Sequence, residues 1–187
     1  MCGKGKQRPE TTIASDMKHV LLLSSLCLAA TALSSCQSYT ELMTPSARIS
    51  SDSFDGAKVI NQPPVSAAAS MSENWHTLGF DWNSRTPDKV FVTAGAPGTQ
   101  NIFGLAFNAG GKVITAQPTS LMTEFGVSST RRFVMNYRDF ETIATAPSVK
   151  MKVSGANSDG VSSFGTSTKA LVNTKFPSFL QQVQAVR

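Results

Sequence analysis

Apolar and polar side chains alternate in several short runs, the period of strands with one covered face. Across residues 75–82 (WHTLGFDW) the alternation sets His76, Leu78, Phe80 and Trp82 on one side. A second run, Val90-Phe91-Val92-Thr93, is closed by the turn-forming Gly95-Ala96-Pro97-Gly98. Residues 102–107 form a third, with Phe103, Leu105 and Phe107 in register. Asn108-Ala109-Gly110-Gly111 then offers residues tolerant of positive φ before Lys112-Val113-Ile114-Thr115 returns, the clearest hairpin signal in the chain. Residues 130–135 place Phe133 and Met135 together, residues 149–153 put lysines opposite apolar positions, and residues 160–165 make one more short strand.

Helical spacing occurs in three places. Leu121, Met122 and Phe125 share one face of a helical turn that Gly126 ends. Asn136 is placed to cap a helix, with Asp139 three residues on as a capping box, and Tyr137, Phe140, Ile143 and Ala144 form the apolar stripe before Pro147. Pro177 suits the first residue of a terminal helix with Phe179, Leu180, Val183 and Val186 inward. Short connections and hairpins predict the α+β class: an antiparallel β-sheet with two helices packed on one face. The alternative is a β-sandwich with peripheral helices. No internal repeat is visible.

Ahead of this body the pattern changes. Residues 37 to about 70 are rich in Ser, Ala and Pro, with Thr44-Pro45-Ser46 and Gln62-Pro63-Pro64 as breakers, and read as a tether. Within it Ala57-Lys58-Val59-Ile60 could make a short edge strand. The expected organisation is a leader and signal over 1–35, a tether over 36–72 and one globular domain over 73–187.

Residues 20–33 form an uncharged apolar run behind the basic lead Met17-Lys18-His19. The run is shorter than the roughly 20 residues that cross a bilayer and has the flanks of a secretory signal peptide. It ends in Leu33-Ser34-Ser35-Cys36, which resembles the lipobox of bacterial lipoproteins. That resemblance implies cleavage before Cys36, a diacylglycerol thioether on its sulfur (the palmitate type of anchor) and an acyl chain on its new amino group. Several chains anchor stably where one is marginal. Gln37 stands where an aspartate commonly retains such proteins in the inner membrane, so the resemblance implies an outer-membrane lipoprotein facing the periplasm. Ala30-Thr31-Ala32 also fits an ordinary signal-peptidase site and would release a soluble secreted or periplasmic protein, but leaves Cys36 unexplained. The run is too short for an uncleaved membrane helix and lacks the amphipathic period of a core helix. Cys27 is a weaker lipidation site because bulky Leu26 precedes it. Residues 1–16 are polar and basic, and Met17 would start a normal signal by itself, so Met1 and Met17 are both possible starts.

Cleavage before Cys36 leaves 152 of the 187 residues, enough for one sizeable core. Cys2 and Cys27 leave with the signal and Cys36 is committed to lipid, so no disulfide is expected despite export. The net charge falls from +5 to +3, with the basic excess beyond Lys89. That excess suits contact with anionic lipid or glycan, or plain solvation, and no basic run interleaved with aromatics points to nucleic acid. His76 is the only histidine left, so no metal site and no cofactor are expected.

Each candidate site has a plainer structural alternative. Gly110-Gly111-Lys112 lacks the flanking residues of a phosphate loop, since Ala106 and Val113 occupy the positions that matter. Arg131 and Arg132 could grip an anion, but on a strand they point to opposite faces. Trp75 and Trp82 could stack on sugars or fill the core, and core packing fits Trp82. His76 shares a face with Leu78 and Phe80, the setting of a core histidine more than of a base. Asp139 with Glu141, and Asp52 with Asp55, carry no sign of a glycosidase pair. The binding candidates are therefore Trp75, His76 and Arg131, with Cys36 for lipid attachment. The expected function is a non-enzymatic envelope lipoprotein that binds a protein, glycan or lipid. The alternatives are an envelope hydrolase using His76, and a carrier holding a hydrophobic ligand between sheet and helices.

Overall fold

The computed structural model describes residues 44–70, 72–157 and 159–187. Cys36, the signal segment and residues 37–43 lie outside them. Ten strands are described: β1 (Arg48–Ser51), β2 (Lys58–Ser66), β3 (Thr77–Asn83), β4 (Lys89–Pro97), β5 (Ile102–Ala109), β6 (Lys112–Pro118), β7 (Glu124–Phe125), β8 (Ser128–Asn136), β9 (Val149–Gly155) and β10 (Asp159–Phe164). They pair antiparallel in the order β1-β2-β3-β4-β8-β6-β5-β9-β10, with β7 beside β8. The sheet curls, and β6 meets β8 only through Gln117↔Val134 and Pro118↔Phe133. Helix α1 (Tyr137–Thr145) follows β8, and α2 (Phe176–Val186) follows a 3-10 turn at Leu171–Thr174. This is the α+β arrangement expected from the alternation.

Burial follows the alternation on most strands. His76, Leu78, Phe80 and Trp82 are all buried, as are Val90, Val92, Phe133, Met135, Val149, Met151 and Val153. Both helices turn their apolar stripes onto the same cluster. The Phe80 ring stands 5.2 Å from Phe140 of α1, and 5.1 and 4.7 Å from Phe176 and Phe179 of α2. Phe164 continues the cluster at 5.7 Å from Phe176 and 6.3 Å from Phe107. Phenyl side chains thus fill the space between sheet and helices.

Several expectations change. Residues 48–66, read as tether apart from a short edge strand at 57–60, supply β1 and β2, and β2 is a longer inner strand between β1 and β3. Pro63 and Pro64 are accommodated by a register shift between Gln62 and Val65, where the missing amides break no regular ladder. The turn between β1 and β2 is clamped by Arg85, whose Nη2 and Nε donate to Asp52 and Asp55 at 2.7 Å each. Phe103 is not in register with Leu105 and Phe107. A bulge between Ile102 and Gly104 buries Ile102 and turns Phe103 outward. Residues 121–126 make no helical turn; 121–123 form a loop that leads into β7, and Gly126 follows it. Asn136 stands at the start of α1 but makes no side-chain cap, and Asp139 pairs with Lys112 Nζ at 2.8 Å instead.

Candidate functional site

Gly110 and Gly111 have φ of 60° and 94°, the left-handed backbone of the hairpin turn. Arg132 lies over Phe91, with its guanidinium carbon 4.6 Å from the ring centroid, and reaches Asp81 at 3.2 Å. Arg131 projects elsewhere, so the two arginines form no common clamp. Trp82 is buried and donates through Nε1 to the Pro87 carbonyl at 3.1 Å, while Trp75 is exposed just before β3.

His76 is a buried fastening. The segment that carries it runs across β10, the far strand of the sheet. His76 Nδ1 lies 2.8 Å from Ser162 Oγ, and that hydroxyl donates to the Asn74 carbonyl at 2.8 Å. Ser162 has one hydrogen, and Asn74 takes it, so Nδ1 of His76 carries the ring proton and donates to Oγ. The same segment supplies Glu73, whose Oε2 accepts from the backbone amides of Ala69 at 2.9 Å and Ser163 at 3.1 Å. Burial pushes the Glu73 carboxyl up, but the amide hydrogen bonds from Ala69 and Ser163 outweigh it and hold it below the usual range. Burial lowers the pKa of His76, which favours the neutral ring. Gly160 completes the fit: a Cβ there would lie 2.2 Å from His76 Cε1 and 2.4 Å from Nε2.

The ring borders a polar cleft of about 330 Å³ lined by Asn74, Thr99, Gln100 and Asn157 among others, and among the described residues no carboxylate lines it. A triad needs the opposite proton order, with serine donating to histidine and a carboxylate behind the ring. Ser162 and His76 are arranged to hold two parts of the sheet together. Among the described residues, no group of three or more His, Cys, Asp or Glu is placed to hold a metal ion. Asp52 and Asp55 are spent on Arg85, and Asp139 on Lys112.

Arg131 organises the feature that sequence reasoning missed. Its Nη1 donates to the Ile102 carbonyl at 2.6 Å and its Nη2 to the Ser120 carbonyl at 2.8 Å. Thr123 Oγ1 accepts from the Ile102 amide at 2.8 Å and donates to the Ile102 carbonyl at 3.1 Å. Ser129 Oγ accepts from the Gln100 amide at 2.9 Å and donates to Gly98 O at 2.8 Å. Three side chains thus tie the β4–β5 connection and the β6–β8 loops together from beneath. Above them Phe103, Leu121, Met122, Phe125 and Val127 face solvent, Leu121 at 98% and Val127 at 105% relative exposure. Phe103, Leu121, Met122 and Phe125 border a groove of about 430 Å³ with Arg131 in its wall. The sequence carried two hints of this rim: Gly104 interrupting a strand, and apolar residues packed between turn formers at 119–128.

Comparison with protein-family models, curated proteins and solved structures finds no match to this chain. Among the described residues, no helix is long and apolar enough to cross a membrane.

Proposed function

We propose that this chain is an envelope lipoprotein, anchored through Cys36 at the periplasmic side of the outer membrane, whose folded domain acts by binding rather than by catalysis. The observation that carries the binding reading is the rim. Large apolar side chains stand in water on loops and strand ends whose backbone is fixed by Arg131, Thr123 and Ser129. Clustered exposed apolar side chains of this kind mark interaction surfaces, and fixing them in advance lowers the ordering cost of contact. The anchor rests on Leu33-Ser34-Ser35-Cys36.

The other two readings draw less support. A hydrolase based on His76 has Ser162 donating its proton away from the ring. A carrier would need room between sheet and helices, where the phenyl cluster sits.

Two measurements test the proposal. Metabolic labelling with radioactive palmitate should mark the protein and fail on Cys36→Ala; an unlabelled wild-type chain removes the anchor. A photo-cross-linking residue at Leu121 in intact envelopes should give a discrete lipid, glycan or protein adduct. A chain that gives none removes the binding role of the rim.

A further inference from the structure

The chain that precedes β1 heads toward the end of the sheet that carries the apolar rim. Ser66 of β2 pairs with Thr77, Thr77 with Gly95, and Gly95 with Thr130, while Pro97 pairs with Ser128. The C-terminal end of β2 therefore lies toward the β4–β5 and β7–β8 connections, where the rim stands. Strand β1 is antiparallel to β2 with Arg48 opposite Asn61. Followed backward, the chain before Arg48 runs toward that same end, and Pro45 O accepts from Gln62 Nε2 at 2.8 Å on the way. Lys175 Nζ fixes the next residue back by donating to Thr44 O at 2.8 Å.

Length then limits what the rim can meet. Eight residue steps separate Cys36 from Thr44, a reach of at most about 28 Å even when fully extended. A domain so tethered sees the bilayer at high effective concentration, and a weak contact suffices to hold it there. The charge pattern fits. Residues 97–111 contain no charged side chain, and Glu124 is the only one between Val113 and Thr130. Such a surface is suited to shallow apolar insertion and not to electrostatic attraction by anionic headgroups.

We propose that Phe103, Leu121, Met122, Phe125 and Val127 rest on the lipid surface that holds Cys36, so that the domain lies against the bilayer instead of standing off it. This names the partner of the rim, and it rests on the reading of Cys36 as lipid-bearing.

The test uses the mature lipoprotein in vesicles of phosphatidylcholine with brominated chains. Met122→Trp places a reporter on the rim; Val113→Trp places one beside the β5–β6 turn, at the other end of β5 from Ile102. Both sites are exposed, and melting curves check that each variant folds; Leu121→Trp replaces Met122→Trp should that one fail. The rim indole should shift to the blue and lose most of its added emission, with no change in high salt, while the Val113→Trp signal matches its value in unbrominated lipid. Equal quenching at both sites, or quenching at neither, overturns the proposal. A protein that floats with the vesicles yet shows an unquenched rim sinks the lipid contact alone and leaves the anchored binding domain standing. One that fails to float sinks the anchor and this inference together. A Leu121 adduct in intact envelopes that holds a protein or a second copy of this chain, and no lipid, also overturns it.

Discussion

Ser162 Oγ lies 2.8 Å from Nδ1 of His76, a contact between residues 86 positions apart that fastens the segment before β3 onto β10. The ring also occupies the space that the missing side chain of Gly160 leaves. Adding a methyl at Gly160 should cost about 1–3 kcal/mol, the usual range for overpacking a filled site. Removing the ring with His76→Ala leaves the Ser162 hydroxyl short of a partner and should cost a similar amount, about 1–3 kcal/mol. The double variant should be less destabilised than the sum, because Gly160→Ala no longer meets the imidazole. Urea unfolding of the four proteins measures the coupling; strict additivity would show that the ring and Gly160 are not in contact.

The same contact has a pH signature. Burial holds the His76 pKa below its ordinary value of 6.5, so the unfolded chain binds this proton more readily than the folded one. Its contribution is complete above pH 6.5 and is lost as pH falls from there through the lower folded value. Glu73 acts in the same direction further down: its carboxyl is held below 4.5, so its stabilisation is lost as pH drops beneath that. Stability should therefore decline in two windows on acidification. His76→Gln should flatten the upper window alone, as urea midpoints between neutral and mildly acidic pH would show.

Thr123 gives a test of how the rim is held. Its hydroxyl both accepts from the Ile102 amide and donates to the Ile102 carbonyl. Thr123→Val keeps the shape and strands both groups, for an expected loss of about 1–3 kcal/mol. Thr123→Ser keeps the hydroxyl and should remain near wild type. Hydrogen exchange at Ile102 should speed up in the valine variant only; equal exchange in all three would mean that Thr123 does not hold the loop.

The sheet was legible because its inward positions recur every second residue, and both helices because Phe140 and Ile143, or Phe179 and Val183, recur at helical spacing. The misreadings share a cause: local pattern is blind to contacts distant in sequence. Pro63 and Pro64 look like tether, yet β3 pairs with β2 across a bulge. Phe103 looks like core, yet the bulge before Gly104 turns it outward. Asp139 looks like a cap, yet Lys112 claims it. The placing of His76 on the covered face was readable from alternation, whereas its partner Ser162 was not. Arg131 reads from sequence as an anion-binding candidate, but its role under the rim depends on the carbonyls of Ile102 and Ser120, which no side-chain pattern reports.

Phe80 joins the sheet to both helices. Its ring meets Phe140 of α1 at 5.2 Å, stacks on Phe176 of α2 at 5.1 Å, and takes Phe179 edge-on at 4.7 Å. Phe80→Ala removes the common partner of three rings and should cost about 3–5 kcal/mol. Phe80→Leu refills much of the volume but loses the ring geometry, worth about 0.5–1.5 kcal/mol per aromatic pair, and should fall between the two. Because α1 and α2 share this partner, the loss should appear as one earlier cooperative transition in helix and sheet signals alike. Thermal unfolding followed by far-ultraviolet and near-ultraviolet dichroism checks it. Helix signal lost well before the sheet signal would show that the helices dock independently of Phe80.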